Sequence, residues 1–514
     1  MEQIMKIGLL NVKGAVPAFE NFGNLPTHLV NSSGLAGGGK AHEVLDGIII
    51  PGGSIVESES MTPELATEIN TMVRNGKFVL GICSGFQTLA LKTDIGRKSP
   101  CPIEKEGLGL LDVSFSPMIS NDRVEAKITS ESFLTKGLVG KTINGFHCHT
   151  YGHITENDSD NAKPILYSKI KRVNYTDDTR EVLAGVTNAE GNVVGTMIHG
   201  CLDNNSILVE NILKFMGADD NDRLQIAEDN KILVEKIKGQ LGIETSFSVA
   251  KKEKINSGQD VGSISNGMPP VIMVGSTGSD SGKTFLVTGL AGAFRRKGLK
   301  VGVLKVGPDV RDIVPALYLT KEKMEYHSSI KIGHLGWMGL EDVLKSLKLF
   351  NYDLVIIEGV MSVFTGLLNE KIPYSSAEIA LAANIPVILV SGCSKGGIET
   401  AALNLVSHRD MLVKMGIEVP GIIFNRVYDS QIFQKASQIF KNDNGLEIIG
   451  EVPKVKLSKR GGTPEVEIKL EEFCLMALKT VEENLDVDKI ISLAKKPVFK
   501  GYKSIKEIER TFNL

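Results

Sequence analysis

The chain has 514 residues, too many for one hydrophobic core, so two or more domains are expected. Hydrophobic residues make up 42% and charged residues 23%, and the net charge of −3 with 6% aromatics offers no basic field for a nucleic-acid partner. Six scattered cysteines without a CxxC pair argue against a disulfide frame or zinc site and for a reducing cytoplasm.

In chain order, "MEQIMKIGLLNV" carries a glutamate at position 2 and runs straight into a strand, so it does not read as a signal peptide. The most apolar stretch, "IALAANIPVILV", is too short to span a bilayer. Short apolar runs bounded by Gly and Pro alternate with helix-length segments: "KIGLL", "DGIIIPGG", "FVLGI" and "NVVGTMIHG" first, then "PVIMVGS", "KVGVLKVG", "YDLVIIEGV", "IPVILVSG" and "VPGIIFNRV". This predicts an α/β fold with two domains, each a mostly parallel sheet flanked by helices. The polar, Gly/Ser-rich segment 246–268 reads as a linker between residues 1–245 and 269–514.

In the first half, "FVLGICSGFQTLAL" reads as strand, tight turn and helix, with glycines two before and two after Cys83. The turn would lift Cys83 to a helix N-terminus, where the dipole favours the nucleophilic thiolate. The N–H of Ser84 would face a developing oxyanion, and Gly52 and Gly53 of the Pro-Gly-Gly loop offer a second donor. His199, at the end of "GNVVGTMIHG", is the candidate base. A lone cysteine or histidine is usually a packing residue; the whole set favours catalysis.

In the second half, "VIMVGSTGSDSGKTFLVTG" reads as strand, loop and helix. Its amides would cradle phosphate, Lys283 would reach the β/γ-phosphates, and Thr284 would offer a hydroxyl to Mg²⁺. Gly278 stands one residue closer to Gly282-Lys283-Thr284 than in the usual Gly-x4-Gly-Lys-Thr. Asp309 and Glu358 follow strands, where carboxylates sit beside a ligand crevice and suit Mg²⁺.

The first half resembles class I glutamine amidotransferase domains of the flavodoxin-like fold, and "NGFHCHTYGHI" with "GTMIHGCLD" looks like the glutaminase segments of cobyric and cobyrinic acid synthases. The resemblance implies Cys83 as nucleophile and His199 as base. It groups Gln87 and His149 with Gly52, Gly53 and Ser84 around glutamine and its oxyanion. Cys201 stands where a triad glutamate is usual, which leaves a Cys–His dyad, with Asp203 a weak alternative acid. The second half resembles the P-loop synthetase domain of cobyrinic acid a,c-diamide synthases and dethiobiotin synthetase. The shared residues are Thr277, Ser279, Gly282, Lys283 and Thr284, then Lys305 to Asp309, Glu358 to Met361, and Phe424 to Arg426. That resemblance implies ATP and Mg²⁺ as cofactors, with Thr284, Asp309 and Glu358 at the metal and Asn425 near the adenine. "PDVRDIV" and "EGVMSVFTG" depart from the family, with Asp312 a loose fit and Ser362 and Thr365 replacing Gly and Asp. The domain order is the reverse of the family's.

Together the halves imply an ATP-dependent amidation in which glutamine supplies nitrogen to a carboxylate, by resemblance a cobyrinate-like tetrapyrrole acid. His327, His334 and Trp337 could equally line an acceptor pocket or form an ordinary helical excursion. The alternatives are amidation of a cell-wall or other biosynthetic acid, a regulatory ATP-binding protein with a non-catalytic glutaminase-like module, and a cysteine hydrolase or chaperone. No nucleic-acid or membrane partner is expected, and a homodimer is compatible with each reading. The last forty-odd residues read as a peripheral helix and tail.

Overall fold

The computed structural model describes residues 5–97, 99–157, 159, 161–240, 267–369, 372–394, 396–438, 447–455 and 470–512. Of the expected linker, 246–266 lies outside the described residues. The chain divides into two compact units. The first comprises Met1–Gly239 with Pro308–Met324 and Leu457–Cys474, and the second comprises Gln240–Gly307, Glu325–Lys456 and Leu475–Leu514.

The first unit is built on a sheet whose centre is five parallel strands in the order β5-β4-β3-β1-β2: β1 (Ile7–Leu10), β2 (His28–Val30), β3 (Gly47–Ile50), β4 (Phe78–Ile82) and β5 (Val193–Thr196). Every residue of β1, β3, β4 and β5 is buried, as unbroken apolar runs require when both sheet faces are covered. Helix Pro63–Arg74 covers part of this sheet. Thr62 accepts the Leu65 N–H as its N-cap, and Leu65, Ile69 and Met72 face the core. Beyond β5 the sheet continues antiparallel through the hairpin Lys163–Val173/Thr176–Thr187. The hairpin turns on Asn174 and Tyr175, both at positive φ, which fits a two-residue turn to the strands' twist. This hairpin is an antiparallel extension of the mostly parallel sheet that the sequence runs had suggested.

The second unit has a seven-stranded sheet, parallel throughout, in the order β8-β7-β9-β6-β10-β11-β12: β6 (Val271–Ser276), β7 (Val301–Val306), β8 (Ser329–Ile330), β9 (Leu354–Glu358), β10 (Val387–Gly392), β11 (Gly421–Val427) and β12 (Glu447–Pro453). The chain moves from β6 to one side for β7 and to the other for β10. The crevice beyond the carboxyl end of β6 is therefore a topological switch point, where open α/β sheets bind ligands. Among the described residues no helix is long and apolar enough to cross a membrane.

Candidate active sites

In the first unit β4 ends at Ile82, and helix α1 (Ser84–Leu89) begins immediately after Cys83. Cys83 itself adopts φ +53° and ψ −108°, a sparsely populated conformation that costs about 1–3 kcal/mol and is held only by its surroundings. Its N–H donates to the Thr196 carbonyl at 2.8 Å, and its carbonyl accepts from Gln87 N–H at 3.0 Å. A Cβ on Gly85 would lie 2.1 Å from the Ile50 carbonyl oxygen, so the elbow needs glycine there. The Ser84 side chain accepts the Ile55 N–H at 3.0 Å, which ties the Pro-Gly-Gly loop to the elbow. The Ser84 N–H heads α1, where first-turn amides have no partner inside the helix.

His199 follows β5. A Cβ on Gly52 would fall 2.6 Å from His199 Cε1 and 3.5 Å from Cys83 Cβ, so Gly52 floors the space between thiol and imidazole. Gly53, at φ +136°, is pressed against the Gly14 carbonyl. The acid of the site comes from elsewhere in the sequence. His199 Nδ1–H donates to Glu20 Oε1 at 2.8 Å, and Glu20 Oε2 accepts the Gly200 N–H at 2.7 Å. Both side chains are 2% exposed. Phe19 meets the imidazole edge-on at 4.9 Å and Phe146 stacks on it at 5.3 Å, excluding water and favouring a cation.

Asp203 does not touch His199. Its carboxylate accepts the N–H groups of Asn21 and Gly23, each at 2.8 Å, and so anchors the segment that carries Glu20. The Cys–His dyad thus gains a third member. Sequence reading missed it because the usual position holds Cys201, which is fully buried.

Gln87 Nε2 donates to the Tyr151 carbonyl at 2.9 Å, and Cys83 Sγ lies 3.8 Å from the Cys148 carbonyl. A small cavity brings together Cys83, Gln87, Cys148, His149, His199 and Arg311. His149 Nδ1–H donates to the Met118 carbonyl at 3.1 Å, while its buried Nε2 has no hydrogen-bond partner.

In the second unit β6 leads through Thr277–Gly282 into helix α2 (Lys283–Arg296). Gly282 has φ +85°, and a Cβ there would lie 2.2 Å from Asn425 Nδ2. The Asn425 amide donates to the Ser281 carbonyl at 2.7 Å, so this side chain braces the loop. Thr277 Oγ1 meets Ser391 Oγ at 2.8 Å, and Ser279 is exposed at the loop tip. Lys283 Nζ donates to Ser276 Oγ at 2.8 Å and to the Met361 carbonyl at 2.6 Å.

Glu358 ends β9 and is 1% exposed. Its Oε1 accepts from Thr284 Oγ1 at 2.8 Å and Lys305 Nζ at 3.0 Å, while its buried Oε2 has no hydrogen-bond partner among the described residues. An orphaned carboxylate oxygen beside a threonine hydroxyl fits a hard divalent cation. Among the described residues no three His, Cys, Asp or Glu side chains gather as a complete ligand set, so such a cation would draw its other ligands from phosphate and water.

The chain leaves the second unit at Gly307, and Pro308–Met324 belongs to the first. The Asp309 carboxylate accepts from Asn121 Nδ2 at 3.0 Å, Tyr175 Oη at 3.1 Å and Arg311 Nε at 3.2 Å. Arg311 is fully buried and donates to Thr150 Oγ1 at 2.7 Å and to Tyr175 Oη. Asp309, expected at the metal, is here the ion-pair partner of Arg311.

Residues 15–207 match the CobB/CobQ-like glutamine amidotransferase domain, and residues 272–463 match the CobQ/CobB/MinD/ParA nucleotide binding domain. The two matches follow one another along the chain without overlap. It is similar to the cobyrinate a,c-diamide synthase of Caldanaerobacter subterraneus subsp. tengcongensis, 30% identical over 236 residues, 44% of this chain and 50% of that protein. The enzyme of the same name from Sulfurisphaera tokodaii is 29% identical over 238 residues, 44% of this chain and 49% of that one. The chain therefore spans about half the length of the curated relatives it matches. Among solved structures, PurLQS from Thermotoga maritima is 20% identical, covers 41% of this chain and 99% of its own, and has a TM-score of 0.31.

Within the amidotransferase domain, protonation follows from burial and neighbours. Burial opposes charge on His199, but the Cys83 sulfur and then the Glu20 carboxylate overcome it and raise the imidazole to about 10. The His199 imidazole therefore carries its proton at neutral pH. Burial, then His147 and Arg311 among its neighbours, holds His149 well below the usual histidine value. His149 is neutral, and with Nδ1 committed to Met118 its Nε2 is an acceptor for an N–H entering the cavity. In the nucleotide-binding domain the buried Lys305–Glu358 pair, 4% and 1% exposed, fixes the carboxylate that faces the phosphate loop.

Proposed function

We propose that this chain catalyses the reaction R–COO⁻ + glutamine + ATP + H₂O → R–CONH₂ + glutamate + ADP + Pi, and that the acceptor is a tetrapyrrole acid. The observation that carries the reading is the pairing, in one chain, of a Cys83–His199–Glu20 arrangement with a phosphate loop beside the orphaned Glu358 oxygen. The similarity to cobyrinate a,c-diamide synthases supports the tetrapyrrole. The amidotransferase match precedes the nucleotide-binding match. Similarity over half of each chain is what an exchanged domain order leaves to a colinear comparison.

In this scheme Cys83 attacks the side-chain amide carbon of glutamine. The Ser84 N–H faces the oxyanion, and the proton held on His199 passes to the departing ammonia. Glu20 keeps Nδ1–H occupied, so Nε2 faces the sulfur. His149 Nε2 accepts from a substrate N–H, and Gln87 shapes the pocket floor. Water then releases glutamate from the thioester. In the other domain the amides from Thr277 to Thr284 and the Lys283 ammonium hold the phosphates. Thr284 and Glu358 would hold Mg²⁺, which when bound offsets phosphate charge. The acceptor carboxylate displaces ADP from the γ-phosphoryl group, and ammonia displaces phosphate from the resulting acyl phosphate.

The test is turnover of [amide-¹⁵N]glutamine with MgATP and a set of tetrapyrrole acids, followed by mass spectrometry. Labelled amide should appear only with nucleotide cleavage. Cys83→Ser should abolish the glutamine route and leave amidation from added ammonium. Unlabelled product, or product without ADP, refutes the scheme.

A further inference from the structure

A cavity of ≈970 Å³ opens in the second unit, walled by Phe364, Leu367, Leu368, Ile372, Met411 and Phe512. No Lys or Arg lines it among the described residues. Two wall side chains face water: Leu368 is 59% and Ile372 48% exposed, an unusual state for large aliphatic groups on one loop.

The wall is tied to the phosphate loop. It continues from Glu358 through Met361, whose carbonyl accepts from both Lys283 Nζ and Ser276 Oγ at 2.6 Å. Val363 N–H donates to the Ser276 carbonyl at 2.8 Å. On the other side His408 stacks on Phe364 at 5.3 Å, and its Nδ1–H donates to the Asn404 carbonyl at 2.8 Å. Tyr374 closes one edge with its hydroxyl 3.0 Å from His334 Nδ1. His334 thus positions a lining residue. His327 is buried and packed against Phe350 and Tyr352.

We propose that this cavity seats the body of the acceptor, a large, flat, mostly apolar ring system whose carboxylates stay at its rim. The volume lies near the top of the range of about 300–1,000 Å³ for small-molecule pockets, far more than a short diacid or sugar acid fills. Among the described lining residues none is a cation, and carboxylates driven in against these aromatic and aliphatic side chains would be buried unpaired, which is strongly unfavourable. The acids therefore project outward, and the one beside the Met361 turn meets the phosphate loop. The assignment rests on the amidation reading and adds the acceptor's seat and shape.

The test is binding of coproporphyrin III, a planar tetrapyrrole with four rim carboxylates, followed by fluorescence quenching with MgATP present. Wild type and Met411→Leu should bind it saturably and alike. Met411→Asp and the surface-exposed Leu368→Asp should weaken binding about tenfold or more, with MgATP affinity and melting temperature reporting an intact fold. Suberate, a flexible diacid without a ring, should not compete. Equal binding by both Asp variants, absence of saturable binding in wild type, or competition by suberate overturns the seat. If the porphyrin binds as described but no acid is amidated, the amidation reading fails and the seat stands. If amide forms with an unchanged acceptor KM in both Asp variants, the seat fails and the amidation reading stands.

Discussion

Replacing Glu20 by glutamine removes one charge and almost no volume. The substituted side chain still offers a carbonyl oxygen to His199 Nδ1–H or Gly200 N–H, the two donors now at 2.8 and 2.7 Å, so the loop should keep its path. What disappears is the charge-assisted part of the interaction at a site where both partners are 2% exposed and screening is weak. Hydrogen bonds to charged groups contribute about 1.5–3 kcal/mol, so glutamate release at saturating glutamine should slow by about 10- to 100-fold. The pH profile should move as well. Against the opposing effect of burial, the Cys83 sulfur and Glu20 raise His199 to about 10, so the wild-type basic limb should not appear until near pH 10. In Glu20→Gln that limb should shift toward neutrality, and alkylation of Cys83 by iodoacetamide near pH 7 should slow in parallel. A purely structural role would lower the melting temperature and leave the limb in place. Full activity with an unmoved basic limb would refute the assignment of Glu20.

Gly52→Ala places a methyl carbon 2.6 Å from His199 Cε1; glutamine-driven amidation should fall at least about tenfold while ammonium-driven amidation persists, and equal losses by both routes would contradict the local account. His147 is driven down to about 3, mainly by burial, against about 6.5 in the unfolded chain. The unfolded chain thus binds more protons between those values; stability is intact above pH 6.5 and is lost as pH falls toward 3. His147→Gln should flatten that acid slope in urea midpoints measured at successive pH values, and an unchanged slope would show that another group is responsible.

The elbow and the phosphate loop were legible in sequence because each is a contiguous strand-turn-helix passage whose glycines and reactive side chain are neighbours. Glu20 was not, since it sits 179 residues before its histidine in "AFENFG", a stretch with no periodicity. Asp203 attracted attention by proximity to His199 and proved to support the right residue from behind. Asp309 follows a strand of the second unit, yet its hydrogen-bond partners Asn121, Tyr175 and Arg311 belong to the first. A strand end in an α/β sheet usually feeds the adjoining crevice, but here the backbone passes into the other unit directly after Gly307. The antiparallel hairpin was also overlooked: Thr176–Glu181 is polar throughout, and Asn174-Tyr175 lacks the glycine that marks most two-residue reversals.

The membership of residues 308–324 in the first unit bears on how this polypeptide can be handled. Scission in the 241–266 stretch would not release a self-sufficient N-terminal half. The fragment would lack Arg311, and with it the donor to Thr150 and one wall of the thiol cavity. Co-expressed fragments would have to reassociate before the thiol cavity could regain that wall.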